Sequence, residues 1–69
     1  MKHHWTVDYS IMYINGEFEE KRATLEARNI RAAIDEADRK IRRPLREDPE
    51  VTDVVIWDVG IIEDDVFTF

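Results

Sequence analysis

From residue 5 to residue 14 the chain alternates: WTVDYSIMYI. Trp5, Val7, Tyr9, Ile11 and Tyr13 share one side, and Thr6, Asp8, Ser10, Met12 and Ile14 the other. Period-two alternation rich in aromatic and β-branched residues predicts a half-buried strand. Asn15-Gly16 follows, a strong hairpin signal, and EFEEKRATLEA over residues 17–27 is the returning strand. The register carries a conflict. A two-residue loop pairs Ile14 with Glu17 and turns Ala23, Leu25 and Ala27 away from the Trp5/Val7/Tyr9 side, because one slipped residue flips a whole strand. Two arrangements keep the apolar set together. One is a three-residue loop, Ile14-Asn15-Gly16, with Gly16 left-handed. The other is a two-residue loop with a bulge in the second strand. Under either, Phe18 joins Met12 and Ile14 on the opposite side.

The period then changes. In NIRAAIDEADRKIRR, residues 29–43, Ile30, Ala33, Ile34, Ala37 and Ile41 fall on one helical stripe. Asn29 is a suitable N-cap, since its side-chain oxygen can accept from an unpaired first-turn N–H. Pro44 lacks a donor and clashes with the carbonyl four residues back, so a stop or kink is expected there. Leu45 stays in phase with the stripe, and Pro49 closes the connection. Residues 51–63 predict a third strand, with Val54 and Ile56 on one side and Val55 and Trp57 on the other. Gly60 is the expected site of a bulge or change of face.

The order β-β-α-β fits one domain spanning residues 1–69. A crossover through the helix sets the third strand parallel to the second, and pairing beside the first gives an antiparallel sheet ordered 2-1-3. The expected fold is two-layer α+β, with one helix on one sheet face and the other face open. Parity then puts Met12, Ile14, Phe18, Val54 and Ile56 on the open face. A contiguous apolar patch on a small domain marks an interaction site.

Charge sharpens this picture. The 69 residues carry 10 basic and 16 acidic side chains, a net of −6. Residues 29–46 have six bases and three acids, whereas residues 47–69 have eight acids and no base. The net sign argues against nonspecific binding to phosphates. The run Arg39, Lys40, Arg42, Arg43, Arg46 offers a nucleic-acid reading. It is weakened by acid-before-base pairs at i, i+4: Asp35–Arg39, Glu36–Lys40 and Asp38–Arg42. Arg43 and Arg46 have no assigned acid in that scheme.

Reactive chemistry is sparsely represented. There is no Cys, so disulfides and thiolate metal sites are excluded, which fits a reducing compartment. His3 and His4, the only histidines, are strand neighbours that point to opposite faces. The densest acids, Glu63-Asp64-Asp65, do not follow a calcium-loop spacing. Ser10 and the threonines lack a base and an orienting group for nucleophilic catalysis, and two glycines make no phosphate loop. No cofactor, metal or enzymatic activity is expected. MKHHWTVDYS has no apolar core of a signal peptide, and no stretch is long and apolar enough for a membrane span. A soluble cytoplasmic protein is the expectation.

The strand–NG–strand unit, the helix RNIRAAIDEA and the strand DVVIWDVGIIED together resemble small β-β-α-β proteins encoded by phages and prophages. Some such proteins inhibit host machinery, including acidic anti-defence inhibitors that bind by surface mimicry. The resemblance implies a binding role and carries no particular residue with it.

The sequence therefore points to a non-catalytic protein-binding module, a phage-type inhibitor or adaptor. Met12, Ile14, Phe18 and Ile56 are the expected anchors. Asp58, Glu63, Asp64 and Asp65 are the expected steering charges against a basic partner. The alternatives are a self-associating structural homodimer with no other partner, and a nucleic-acid module using the Arg/Lys run.

Overall fold

A computed structural model describes residues 2–62. Strand β1 (His3–Tyr13) and strand β2 (Phe18–Ala27) lead into helix α1 (Ile30–Ala37). A widened helical turn over Asp38–Arg42 joins α1 to the short helix α2 (Arg43–Arg46), and strand β3 (Val51–Ile61) follows. The sheet is antiparallel and ordered β2-β1-β3, with the helical segment on one face. The expected two-layer α+β arrangement is present.

The hairpin resolves its register by the three-residue loop. Trp5 lies opposite Leu25, Val7 opposite Ala23 and Met12 opposite Phe18, so odd positions meet odd ones. The Tyr13 N–H donates to the Glu17 carbonyl at 2.9 Å, and the Gly16 N–H donates to the Tyr13 carbonyl at 3.0 Å. Gly16 has φ +89°, with nothing within 4 Å of where a Cβ would sit. Glycine is needed there for its backbone conformation and not for space. The Asn15 side chain accepts from the Glu17 N–H at 2.9 Å and stiffens the loop.

Asn29 caps α1 as expected, its Oδ1 accepting from the Ala32 N–H at 2.8 Å. Ala33 and Ala37 are fully buried, and with Trp5, Val7, Leu25 and Ala27 they make the core. The small alanines let the helix approach the sheet closely. Tyr9, Ala32, Ile41, Ile56 and Val59 pack around that centre. The Trp5 indole N–H donates to the Ala27 carbonyl at 2.9 Å, which satisfies the one polar atom of a buried ring.

Pro44 neither stops nor breaks the helix. The preceding turn widens instead, and the Arg43 N–H donates to the Asp38 carbonyl five residues back. That re-registers the chain ahead of Pro44, which sits in the first turn of α2, where a missing N–H costs no helical bond. The helical path then runs on to Arg46.

Strand β3 departs from the expected facing. Tyr9 lies opposite Ile56 and Ile11 opposite Val54, so in this stretch odd residues of β1 meet even residues of β3. Register shifts at Asp8/Tyr9 and Met12/Tyr13 leave Trp57 and Thr52 as the extra residues of two bulges. Val54 is therefore buried, at 3% exposure, and Ile56 packs against the core. Neither belongs to the open face. Alternation within 51–63 separates two sets of residues, but pairing with β1 decides which set meets the helix. Gly60 sits in regular register opposite Thr6, and the bulge expected there falls three residues earlier.

Candidate functional site

Odd residues of β1 face the helix, so its even residues face away, and their cross-strand partners go with them. The open face reads as rows across three strands. At the hairpin end stand Phe18, Met12 and Asp53; next come Glu20, Ser10 and Val55; then Arg22, Asp8 and Asp58. Thr24, Thr6 and Gly60 follow, and Glu26 with His4 closes the grid. The surface is thus mixed: apolar at the hairpin end and mostly polar beyond it.

The apolar end gathers three of the four expected anchors. Met12 and Phe18 are directly opposite each other and are 43% and 63% exposed. Ile14, in the loop beside them, is also exposed, and its N–H donates to the Glu50 carbonyl at 2.9 Å. That bond ties the loop to the connection before β3, so the cluster stands on a fixed frame. Ile56, the fourth, is half-buried on the covered side, packed against the core. Val55, assigned from sequence to the covered side, takes its place on the open one, opposite Ser10 and 38% exposed.

The middle row is the polar centre. The Arg22 guanidinium donates twice to Asp8, Nε to Oδ1 at 2.7 Å and Nη2 to Oδ2 at 3.2 Å. Asp8 is buried although it lies on the face without a helix. The Arg22 hydrogen bond holds its carboxyl below the ordinary range; burial opposes that effect and the Arg22 charge adds to it. Arg22 is raised in turn, chiefly by the same hydrogen bond, with a further contribution from the Asp58 charge. Asp58 lies opposite Asp8, an unfavourable placing for two like charges that Arg22 offsets. At the hairpin end the Tyr13 hydroxyl donates to Glu19 at 2.6 Å, which pushes the hydroxyl up to about 12.

The five cations of the basic run share three carboxylates. Arg39 and Lys40 both reach Glu36, the latter at 3.1 Å. These pairs keep the Glu36 carboxyl below its ordinary range, the Lys40 hydrogen bond most of all. Arg42 and Arg43 share Asp38 at 3.5 and 3.1 Å, and Arg46 meets Asp53 of β3 at 3.3 Å. Arg39 thus uses Glu36 in place of Asp35, and the two cations without an assigned acid both have one.

Glu63, Asp64 and Asp65 lie outside the described residues, so Asp58 is the one expected steering charge with a known place. Among the described residues no three His, Asp or Glu side chains gather closely enough to hold a metal ion.

Sequence reasoning passed over two features. The Asp8–Arg22 pair follows directly from the three-residue loop, whose register puts residue 8 opposite residue 22. The second feature is a groove of about 350 Å³ between α1 and β3, walled by Ile30, Ile34 and Trp57. Its signal was the pair of large isoleucines on a helix whose contact stripe also holds alanines. Compared with known proteins, the chain matches no family model, no curated protein and no solved structure.

Proposed function

We propose that this protein is a non-catalytic protein-binding module that acts through the hairpin end of its open sheet face. The observation that carries this reading is the exposed cross-strand pair Met12–Phe18, with Ile14 beside it, on a face that no element of the described fold covers. A small domain leaves such a cluster exposed at a cost in solubility, and a docking partner gives it a use. The carboxylates of Glu20 and Asp58 on the same face suit a partner with a basic surface, whereas Asp53 is already paired with Arg46. Glu63, Asp64 and Asp65, further along the chain, would add to that field and act on the rate of encounter.

The resemblance to phage and prophage proteins fits an inhibitor or adaptor that works on a host protein in the cytoplasm. Among the described residues no helix is long and apolar enough to cross a membrane. The nucleic-acid reading is disfavoured, because each cation of the Arg39–Arg46 run already faces a carboxylate.

The test is affinity capture from host-type lysate with identification of bound proteins, run beside a Met12→Asp, Phe18→Asp variant. The expected result is one stoichiometric partner that the variant loses. With that partner in hand, charge reversal of Glu63, Asp64 and Asp65 should slow association and flatten its salt dependence. Equal capture by both baits would refute the assignment of the surface.

A further inference from the structure

We propose that a second copy of this chain seats in the groove between α1 and the outer side of β3, giving a two-fold dimer that leaves Met12, Ile14 and Phe18 at the hairpin end of the open face free. Its apolar anchors, Ile30, Ile34 and Trp57, are separate from those of the binding surface proposed above, and Asp58 borders both.

Its first ground is a mismatch in the helix. Only part of the α1 stripe meets the sheet. Ala33 and Ala37 fill the contact, and Ile30 and Ile34 are left at its side, Ile34 half exposed. Opposite them Trp57, the extra residue of a bulge on an outer strand, is 57% exposed. A tryptophan and two isoleucines around one groove form the kind of anchor cluster that interfaces concentrate at their centre. A domain of this size also gains more than most from association, because its own core is small.

The second ground is charge, and it selects the occupant. The same groove is lined by Arg42 and by Asp58. The Arg42 Nε is buried and has no acceptor among the described residues, although the end of the guanidinium reaches Asp38. The Asp58 side chain is exposed and makes no hydrogen bond among the described residues, its charge balanced only at a distance by Arg22. A uniformly acidic ligand meets Asp38 and Asp58, and a uniformly basic one meets Arg42. A two-fold partner presents both signs in the required order, since in an isologous contact each residue of a pair occurs on both sides. Asp58 of the partner subunit then answers Arg42, and the reverse pair forms at the symmetric position. The contact is made by side chains and not by strand addition, because the bulges at Thr52 and Trp57 interrupt the outer edge of β3.

The experiment is sedimentation equilibrium on the full chain from low-micromolar to near-millimolar concentration, with circular dichroism to confirm folding of each variant. The wild-type chain should be a dimer in reversible exchange. Trp57→Ala should weaken it about tenfold or more, a change of roughly 1.4 kcal/mol. Asp58→Arg and Arg42→Glu should each weaken it to a similar degree, and the two combined in one chain should restore it. Asp58→Arg keeps the test readable if Arg42→Glu disturbs the helix through Asp38. A monomer throughout the range would overturn the proposal. So would a dimer indifferent to Trp57→Ala and to the charge exchange, or one broken only by Met12→Asp, which would move the contact to the open face.

Discussion

The two faces of this sheet are built from the same three strands and have opposite requirements. The covered face takes Trp5, Val7, Leu25 and Val54 out of water and lays the alanines of α1 over it. The open face sets an ion pair, Asp8–Arg22, at its centre and leaves Met12 and Phe18 exposed at one end. On the covered side the core residues are matched by one another and explain themselves as folding, with Ile30, Ile34 and Trp57 left over only at the margin beside β3. On the open side Asp8 and Arg22 are matched to each other, while Met12 and Phe18 are left exposed. The unmatched residues carry the functional reading.

The difference can be broken most strongly from the covered side. Trp5→Ala removes a buried indole and leaves a cavity, and the expected loss is about 3–5 kcal/mol. That is a large part of what holds a domain of this size together, so chemical unfolding should find the variant largely unfolded without denaturant. A loss below about 1 kcal/mol would mean that the helix does not rest on this residue.

A smaller effect comes from the residue that keeps the faces distinct. Gly16→Ala puts a Cβ on a left-handed backbone, and it should cost about 1–2 kcal/mol. A stabilised variant would mean that the loop, and with it the odd-to-odd register, is different.

The polar face should respond to pH. The Asp8 carboxyl titrates below its ordinary value of 3.8 when folded. Its pairing therefore contributes stability that is present above that value and is lost as pH falls through the lowered folded one. Glu36 has the same sign. Unfolding midpoints should fall on acidification below about pH 4, and Asp8→Asn should remove part of that fall while lowering the neutral midpoint. An unchanged acid profile in the Asn variant would place the acid sensitivity elsewhere.

Much of this architecture can be read along the chain. The alternation in residues 5–14 and the Asn-Gly signal lead to the hairpin. The demand that Ala23, Leu25 and Ala27 join Trp5 and Val7 leads to the loop with Gly16 left-handed. The same register places Phe18 beside Met12. Strand β3 is less legible because Val54, Val55, Ile56 and Trp57 are apolar on both sides. Its facing is set by bulges at Thr52 and Trp57, and a bulge depends on the partner strand and not on local composition. That is why Ile56 reads as a surface anchor in the sequence and packs against the core in the fold. The groove escapes for a related reason. A helical stripe shows which residues can be buried, and the seating of the helix on the sheet decides which are.

The separation of a face that folds from a face that binds is tested most directly by one unfolding experiment. The Met12→Asp, Phe18→Asp variant would be unfolded in urea beside the wild-type chain, at two protein concentrations. Both side chains are exposed, but the two aspartates would face each other beside Asp53, so each substitution should cost no more than about 1 kcal/mol, with the transition equally cooperative. A loss of several kcal/mol, or a wild-type midpoint that rises with concentration while the variant's does not, would contradict the account and make this face part of what holds the protein together.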